Sequence, residues 1–296
     1  MEQMIKANSI DICYETFGES SNPAVLFVSG LGGQLLGWPD RYMQGASEAG
    51  YHVIRYDNRD VGLSKKFDEA GTPDFHTVVK DKAAGKTPNV PYILADMAAD
   101  GIGLLDALGI ARAHLTGVSM GGMIVQQMAI GHESRLLSMT SIMSNTGDPS
   151  LPGPTPEALA VLTTPPPASD DIDSLISRLI INRKAIGGDG FVDDDAARKL
   201  AADTIARQFY PVGTARQRAG IMASPSRTEI LKNISIPTLV IHGDKDPLVP
   251  LEGGILTAET IPGARMEILP GMWHAQYPLY QERVLALMLK HFDDNG

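Results

Sequence analysis

A serine flanked by glycines is the residue whose setting most suggests chemistry. Ser119 stands in the run Gly117, Val118, Ser119, Met120, Gly121, a G-x-S-x-G pattern. Residues 113–118 before it read as an apolar strand, and residues 120 to about 129 after it are compatible with a helix. A strand-to-helix turn this tight holds its central residue in a strained backbone conformation, and glycines at 117 and 121 let strand and helix close up. The hydroxyl is then lifted out of the sheet toward a base and a substrate carbonyl, with the positive end of the helix just below. The pentapeptide alone is weak, because roughly one chain in six of this length would hold it by chance. Without partners, Ser119 would be a surface serine in a strand–helix turn.

A serine nucleophile needs a base, and the base needs a group to orient it. Of the seven histidines, His52, His114 and His242 lie in or beside apolar strands and read as core residues. His132 ends a helix, His291 sits in the last helix, and His76 lies in an irregular stretch. His274 follows a strand and Pro270, Gly271, Met272 and Trp273, in a loop at the sheet end where Ser119 emerges. It is the candidate base. The acid is expected between serine and histidine in chain order, at the carboxyl end of a strand. Asp246, followed by Pro247, is the better placed; Asp244 is the runner-up and Asp148 a distant third. A solvated turn would account for one of these acids without any catalytic role.

Two backbone donors must face the oxygen on which negative charge develops. The N–H of Met120, at the start of the helix, is one. The second is expected from the loop after an earlier strand, where Leu31 follows Gly30. The nearby methionines (120, 123, 128, 139 and 143) read as core filling.

These residues need a scaffold, and the chain supplies alternating strands and helices. Residues 4–17 read as two strands joined at 7–9. Residues 24–30, 51–57, 136–143, 236–243 and 265–269 read as further strands, several of them continuously apolar as in a sheet covered on both faces. Residues 93–108, 253–261 and 280–292 have helical spacing, with Gly109 as a C-terminal cap of the first. Residues 65–90 read as a long surface loop. Gly30, Leu31 and Gly32 begin a dinucleotide fingerprint, but Leu35 stands where its third glycine should be, so that reading fails.

Between residues 146 and 167 there are seven prolines (149, 152, 154, 156, 165, 166 and 167), which no sheet interior accommodates. From 169 to about 222 only helical patterns follow, with one apolar stripe at Ile172, Leu175, Ile176, Leu179 and Ile180 and another over 196–209. The expected organisation is a mostly parallel α/β core made of 1–145 and 229–296, with a helical lid at 146–228 inserted after the sixth strand. A cover of that size over the strands' carboxyl ends is expected to set substrate selectivity.

Composition narrows the classes. The 296 residues, 43% hydrophobic, can bury one large core. A net charge of −10 argues against nucleic acid and anionic membrane as partners. The single cysteine, Cys13, excludes an internal disulfide and a cysteine-based zinc site. No signal-peptide pattern and no run of ~20 apolar residues is visible, so a cytoplasmic protein is expected.

Together these features resemble the α/β-hydrolase superfamily from end to end. They are most similar to its esterase branch containing the anthracycline (aclacinomycin) methylesterases. The matching stretches are Leu36-Gly-Trp-Pro-Asp40, His52-Val-Ile-Arg-Tyr-Asp-Asn-Arg-Asp60, Gly117-Val-Ser-Met-Gly121 and Pro270-Gly-Met-Trp-His274. The resemblance implies nucleophile, acid and base at Ser119, Asp246 and His274, no cofactor and no metal. It implies a carboxylesterase acting on a small-molecule ester, of short-to-medium acyl or methyl type, through an acyl-enzyme. Two departures stand out: Ser29-Gly30 where His-Gly is common, and Asp60 for the first glycine of the usual D-x-R-G-x-G turn. A cofactor-free perhydrolase or haloperoxidase, and a non-catalytic hydrolase-like binding protein, are the alternatives.

Overall fold

The strands predicted from apolar runs assemble into one sheet. The computed structural model describes residues 1–165, 171–188, 191–275 and 278–296. Within them lie β1 (Gln3–Ala7), β2 (Ile10–Phe17), β3 (Ala24–Val28), β4 (His52–Tyr56), β5 (Ala113–Val118), β6 (Leu136–Ile142), β7 (Thr238–Gly243) and β8 (Arg265–Leu269). Their order is β1-β2-β4-β3-β5-β6-β7-β8. β1 and β2 form an antiparallel hairpin turned at Asn8 and Ser9, both with positive φ, and β2 pairs antiparallel with β4. From β4 to β8 every neighbouring pair is parallel. The expectation of a mostly parallel sheet is met.

Every residue of β3, β4 and β7 is buried, because helices cover both faces. On one face α3 (Leu94–Ala107) and α4 (Met120–His132) pack Leu104, Leu105, Ile124 and Met128 against Leu26, Ile54 and Leu115. On the other, α1 (Asp40–Glu48) and α11 (Pro278–Asp293) bring Tyr42, Met43, Leu285 and Met288 onto Phe27, Val53 and Ile241. The methionines at 120, 123, 128, 139 and 143 are all buried in these clusters, as core filling requires. α10 (Leu251–Thr260) connects β7 to β8.

The chain leaves β3 for β4 on one side and later enters β5 on the other. Loops therefore diverge at the carboxyl ends of these strands, opening a crevice of the kind where ligands bind in parallel sheets. Both Ser119, after β5, and the 30–33 loop, after β3, sit at this edge.

One stretch differs from expectation. Residues 65–90 contain a helix, α2 (Phe75–Ala83), started by the Asp74 carboxylate accepting from the N–H groups of His76 and Thr77. Val78 is its buried residue, so it has too narrow an apolar face to show as a period in the sequence. His76 thus lies in a helical first turn rather than a loop.

Between β6 and β7 run α5 (Pro156–Thr163), α6 (Ile172–Gly187), α7 (Asp195–Gln208), α8 (Pro211–Ala223) and the short α9 (Thr228–Leu231). Thr155, Asp171 and Asp194 cap the first three through side-chain oxygens. Of the Ile172–Ile180 stripe, Leu175 and Ile180 are buried and Ile172 is 56% exposed. Leu159, Ile181 and Val192 are exposed nearby, an apolar outer face the sequence had not suggested. Pro166, Pro167 and residue 169, where the helical patterns were expected to begin, lie outside the described residues. Among the described residues no helix is long and apolar enough to cross a membrane.

Candidate active site

The turn from β5 into α4 has the strain its sequence implies. Ser119 has φ 55° and ψ −118°, a conformation L-residues rarely adopt, at a cost of about 1–3 kcal/mol. The glycines are sterically required. A Cβ on Gly121 would overlap the carbonyl oxygen of Val28, and one on Gly117 would overlap that of Gly121. Two bonds brace the strained residue: Ser119 N–H donates to Ile142 O at 2.9 Å, and Ser144 Oγ donates to Ser119 O at 2.8 Å.

His274, in the loop after β8, places Nε2 3.0 Å from Ser119 Oγ and Nδ1 2.6 Å from Asp246 Oδ2. Asp246, in the loop after β7, is buried, and its Oδ1 accepts from the N–H groups of Leu248 and Val249 at 2.9 and 2.8 Å. Burial pushes its carboxyl up. His274, the nearby His242 and the two backbone donors outweigh that and hold it well below the usual carboxylate range. An ionised Asp246 only accepts, so His274 Nδ1 carries a proton toward it, the orientation in which a neutral imidazole turns its Nε2 lone pair to the serine hydroxyl. The backbone N–H of His274 donates to Ile186 O at 3.0 Å, tying the loop to the end of α6.

The other two acids lie elsewhere. Asp244 is exposed and accepts from Gly271 N–H at 2.6 Å; Asp148 accepts from Ser150. His242, expected to be a core histidine, is buried and donates from Nε2 to Val249 O at 2.8 Å. The same nitrogen lies 3.6 Å from Asp246 Oδ2, so it also faces the acid, which sequence reasoning missed.

The loop carrying Leu31 abuts the serine. A Cβ on Gly30 would lie 3.2 Å from Val118 O and 3.3 Å from Ser119 Cβ, closer than ordinary contact, so the loop runs tightly against the serine here. Met120 opens α4, where the first N–H groups have no partner within the helix. The Leu31 and Met120 peptides therefore both border Ser119.

A buried polar layer beneath α7 and α8 had no counterpart in the sequence reading. Asp57 accepts from Leu35 N–H, Leu63 N–H and Arg207 at 2.8, 2.8 and 2.7 Å. Asp60, standing where the family turn has glycine, keeps the left-handed backbone at φ 66°. Its carboxylate takes two bonds from Arg216 at 2.8 Å each, one from Tyr92 at 2.7 Å and one from Phe67 N–H at 2.8 Å. The departure at Asp60 is thus matched by a buried arginine more than 150 residues away in sequence. No local pattern could have paired them.

A cleft of about 900 Å³ opens beside the acid arm, lined among others by Lys184, Phe191, Lys245, Asp246 and Trp273. Among the described residues no group of three or more His, Cys, Asp or Glu could hold a metal ion. The arrangement can pass a proton from Ser119 to His274, hold the resulting imidazolium against Asp246, and present backbone donors beside the attacked carbonyl.

Comparison with known proteins agrees with this fold. Residues 25–286 match the Alpha/beta hydrolase family. Rhodomycin D methylesterase DauP of Streptomyces sp. (strain C5) is 27% identical, covering 98% of this chain and 97% of its own. 3-Oxoadipate enol-lactonase 2 of Acinetobacter baylyi is 28% identical over the same shares. Among solved structures, the meta-cleavage product hydrolase CumD of Pseudomonas fluorescens IP01 superposes with a TM-score of 0.76 at 21% identity, covering 99% of this chain and 98% of that one. This chain belongs to the alpha/beta hydrolase family and is an enzyme of the esterase–hydrolase kind, similar to the anthracycline methylesterases.

Proposed function

We propose that this hydrolase cleaves carboxylic esters through an acyl-enzyme on Ser119. Ser119 Oγ attacks the ester carbonyl while His274 takes its proton, and Asp246 keeps the imidazole in the required tautomer. The N–H groups of Leu31 and Met120 hold the oxyanion. His274 then protonates the departing alcohol, and water releases the acid by the same steps in reverse roles. The single observation that carries the reading is the hydrogen-bonded chain Ser119–His274–Asp246, at 3.0 and 2.6 Å, starting from a serine in a strained turn.

The substrate class is a soluble ester of short-to-medium acyl chain or a methyl ester. The likeness to a rhodomycin D methylesterase supports a small alcohol group and a large acid. Residues 146–228 act as a lid that shapes the substrate pocket while the core performs the chemistry. The exposed Leu159, Ile172 and Ile181 give this stretch apolar side chains that could meet a long acyl chain, so chain length belongs in the test. The same substrates suit an enzyme working in the cytoplasm.

The test is a panel of esters varied separately in acyl length and alcohol size, run with wild type and Ser119→Ala. Wild type is expected to prefer methyl and short-acyl esters. Ser119→Ala should lower kcat by ~10³-fold or more, as removal of a serine nucleophile does elsewhere. Halide-dependent peroxide activity far above esterase activity would move the assignment to a perhydrolase.

A further inference from the structure

We infer that Gln217, on α8, is a positioning residue that fixes the peptide next to the oxyanion donor of Leu31. The inference rests on the esterase reading above and extends it to a residue far from the triad in sequence.

The side chain of Gln217 is completely buried. Its Oε1 accepts from Gly32 N–H at 2.9 Å, and its Nε2 donates to Arg59 O at 2.7 Å. Both ends of the amide are used on backbone groups, one in the loop after β3 and one in the turn after β4. The Gly32 N–H is thereby committed away from the substrate. The N–H groups of Gly32 and Gly33 are thus both bonded within the fold, while that of Leu31 has no hydrogen bond among the described residues.

The local backbone shows why such a bond matters. Gly33 N–H donates to Gly30 O at 3.0 Å, closing a four-residue turn over 30–33. Gly32 has φ 66° in the third place, while Leu31 is not among the residues with positive φ, which is the type II pattern. The central peptide of the turn joins Leu31 to Gly32. A type I turn over the same four residues differs by a flip of that one peptide. Flipping it would turn the Leu31 carbonyl and the Gly32 N–H about and so reverse the dipole adjoining the Leu31 N–H. The Gln217 acceptor holds the peptide in the type II sense.

α8 can do this because it is seated closely and rigidly. A Cβ on Gly213 would overlap Asp60 O, and one on Gly220 would come within 2.8 Å of Tyr92 O. Thr214 covers Gly32 itself, 2.9 Å from where a Cβ there would stand. Between the two glycines, Arg216 forks onto Asp60. At the far end of the lid, Ile186 O receives the N–H of His274. The helices inserted after β6 thus hold both the base and the oxyanion loop.

The experiment compares Gln217→Met with Gln217→Glu in the full-length enzyme, reading kcat, KM, thermal midpoint and the affinity of a trifluoromethyl ketone, which mimics the tetrahedral intermediate. Met removes the acceptor for Gly32. Glu keeps an acceptor there in either protonation state and disturbs only the Arg59 contact. The expected result is a kcat at least ~10-fold lower in Gln217→Met with KM within about twofold, a parallel loss of ketone affinity, and kcat within about threefold of wild type in Gln217→Glu. Both variants are expected to melt earlier, so the midpoint alone decides nothing. Equal kcat in Met and Glu, or a loss carried by KM with ketone affinity unchanged, would overturn the inference while leaving the esterase reading intact. A wild-type enzyme inert to esters and to the ketone would remove that reading, and this inference with it.

Discussion

At the residue scale the account turns on which carboxylate orients His274. Asp246 is buried and bonded to the imidazole at 2.6 Å; Asp244 is exposed and bonded to a turn N–H. Asp246→Asn keeps the shape but offers an amide that can favour the wrong tautomer of His274. In a serine protease the equivalent change costs about 10⁴ in kcat. Asp246→Asn is therefore expected to lower kcat by at least ~10²-fold and Asp244→Asn by less than about threefold, measured on one ester; the reverse ranking would reassign the acid. Chain order and position at strand ends pointed to Ser119, His274 and Asp246 in the sequence, and the structure brings these three side chains within hydrogen-bond reach. It left Asp244 open, since two acids in one turn look alike until their burial is known. Gln217, Arg216 and the approach of His242 to Asp246 were illegible. Gln217 and Arg216 show nothing locally because their partners Gly32, Arg59 and Asp60 lie more than 150 residues away, and His242, four residues from Asp246, reads as core because it sits in an apolar strand.

At the element scale, strands and core helices were readable because burial on both sheet faces forces apolar runs and helical periods. α2 was not, since a single buried valine leaves no period. The inserted helices were legible as helices but not in their attachment, which is made by buried polar contacts rather than by the Ile172–Ile180 stripe alone. Arg216 and Asp60 are both buried, with paired hydrogen bonds between them. Removing one partner of such a pair strands a charge, whereas removing both leaves little to compensate. Arg216→Met alone is expected to cost about 3 kcal/mol in urea unfolding. Asp60→Gly with Arg216→Met should recover at least half of that, helped by glycine's ease at φ 66°. A double mutant no more stable than Arg216→Met would mean that the pair is not what seats α8.

At the scale of the whole molecule, pH acts through histidines sealed in the core. His114 is fully buried, with Nδ1 2.8 Å from Ser138 Oγ, and burial, reinforced by the nearby His291 and Arg112, pushes it down to about 4 from 6.5. Burial lowers His291 in the same direction. Above the unfolded value both states hold a neutral imidazole and no stability is at stake. As pH falls through 6.5 the unfolded chain takes up a proton that the folded one refuses, so stability drops, and the loss from His114 levels off below about 4. The full effect is on the order of 3 kcal/mol. Urea midpoints should fall steadily between pH 7 and 5, and His114→Asn, which cannot titrate, should flatten that slope; an unchanged slope in the variant would place the loss elsewhere. The overall architecture itself was legible, since alternating strands and helices with buried parallel strands admit few arrangements.

The most direct check on the central claim is covalent. The intact enzyme is treated with a fluorophosphonate, digested and mapped by mass spectrometry, alongside Ser119→Ala. A single adduct on the peptide carrying Ser119, formed more slowly in the presence of a methyl ester substrate and absent from Ser119→Ala, is the predicted result. Labelling of Ser119→Ala at the wild-type rate, or ester hydrolysis by wild type with no adduct on Ser119, would contradict it.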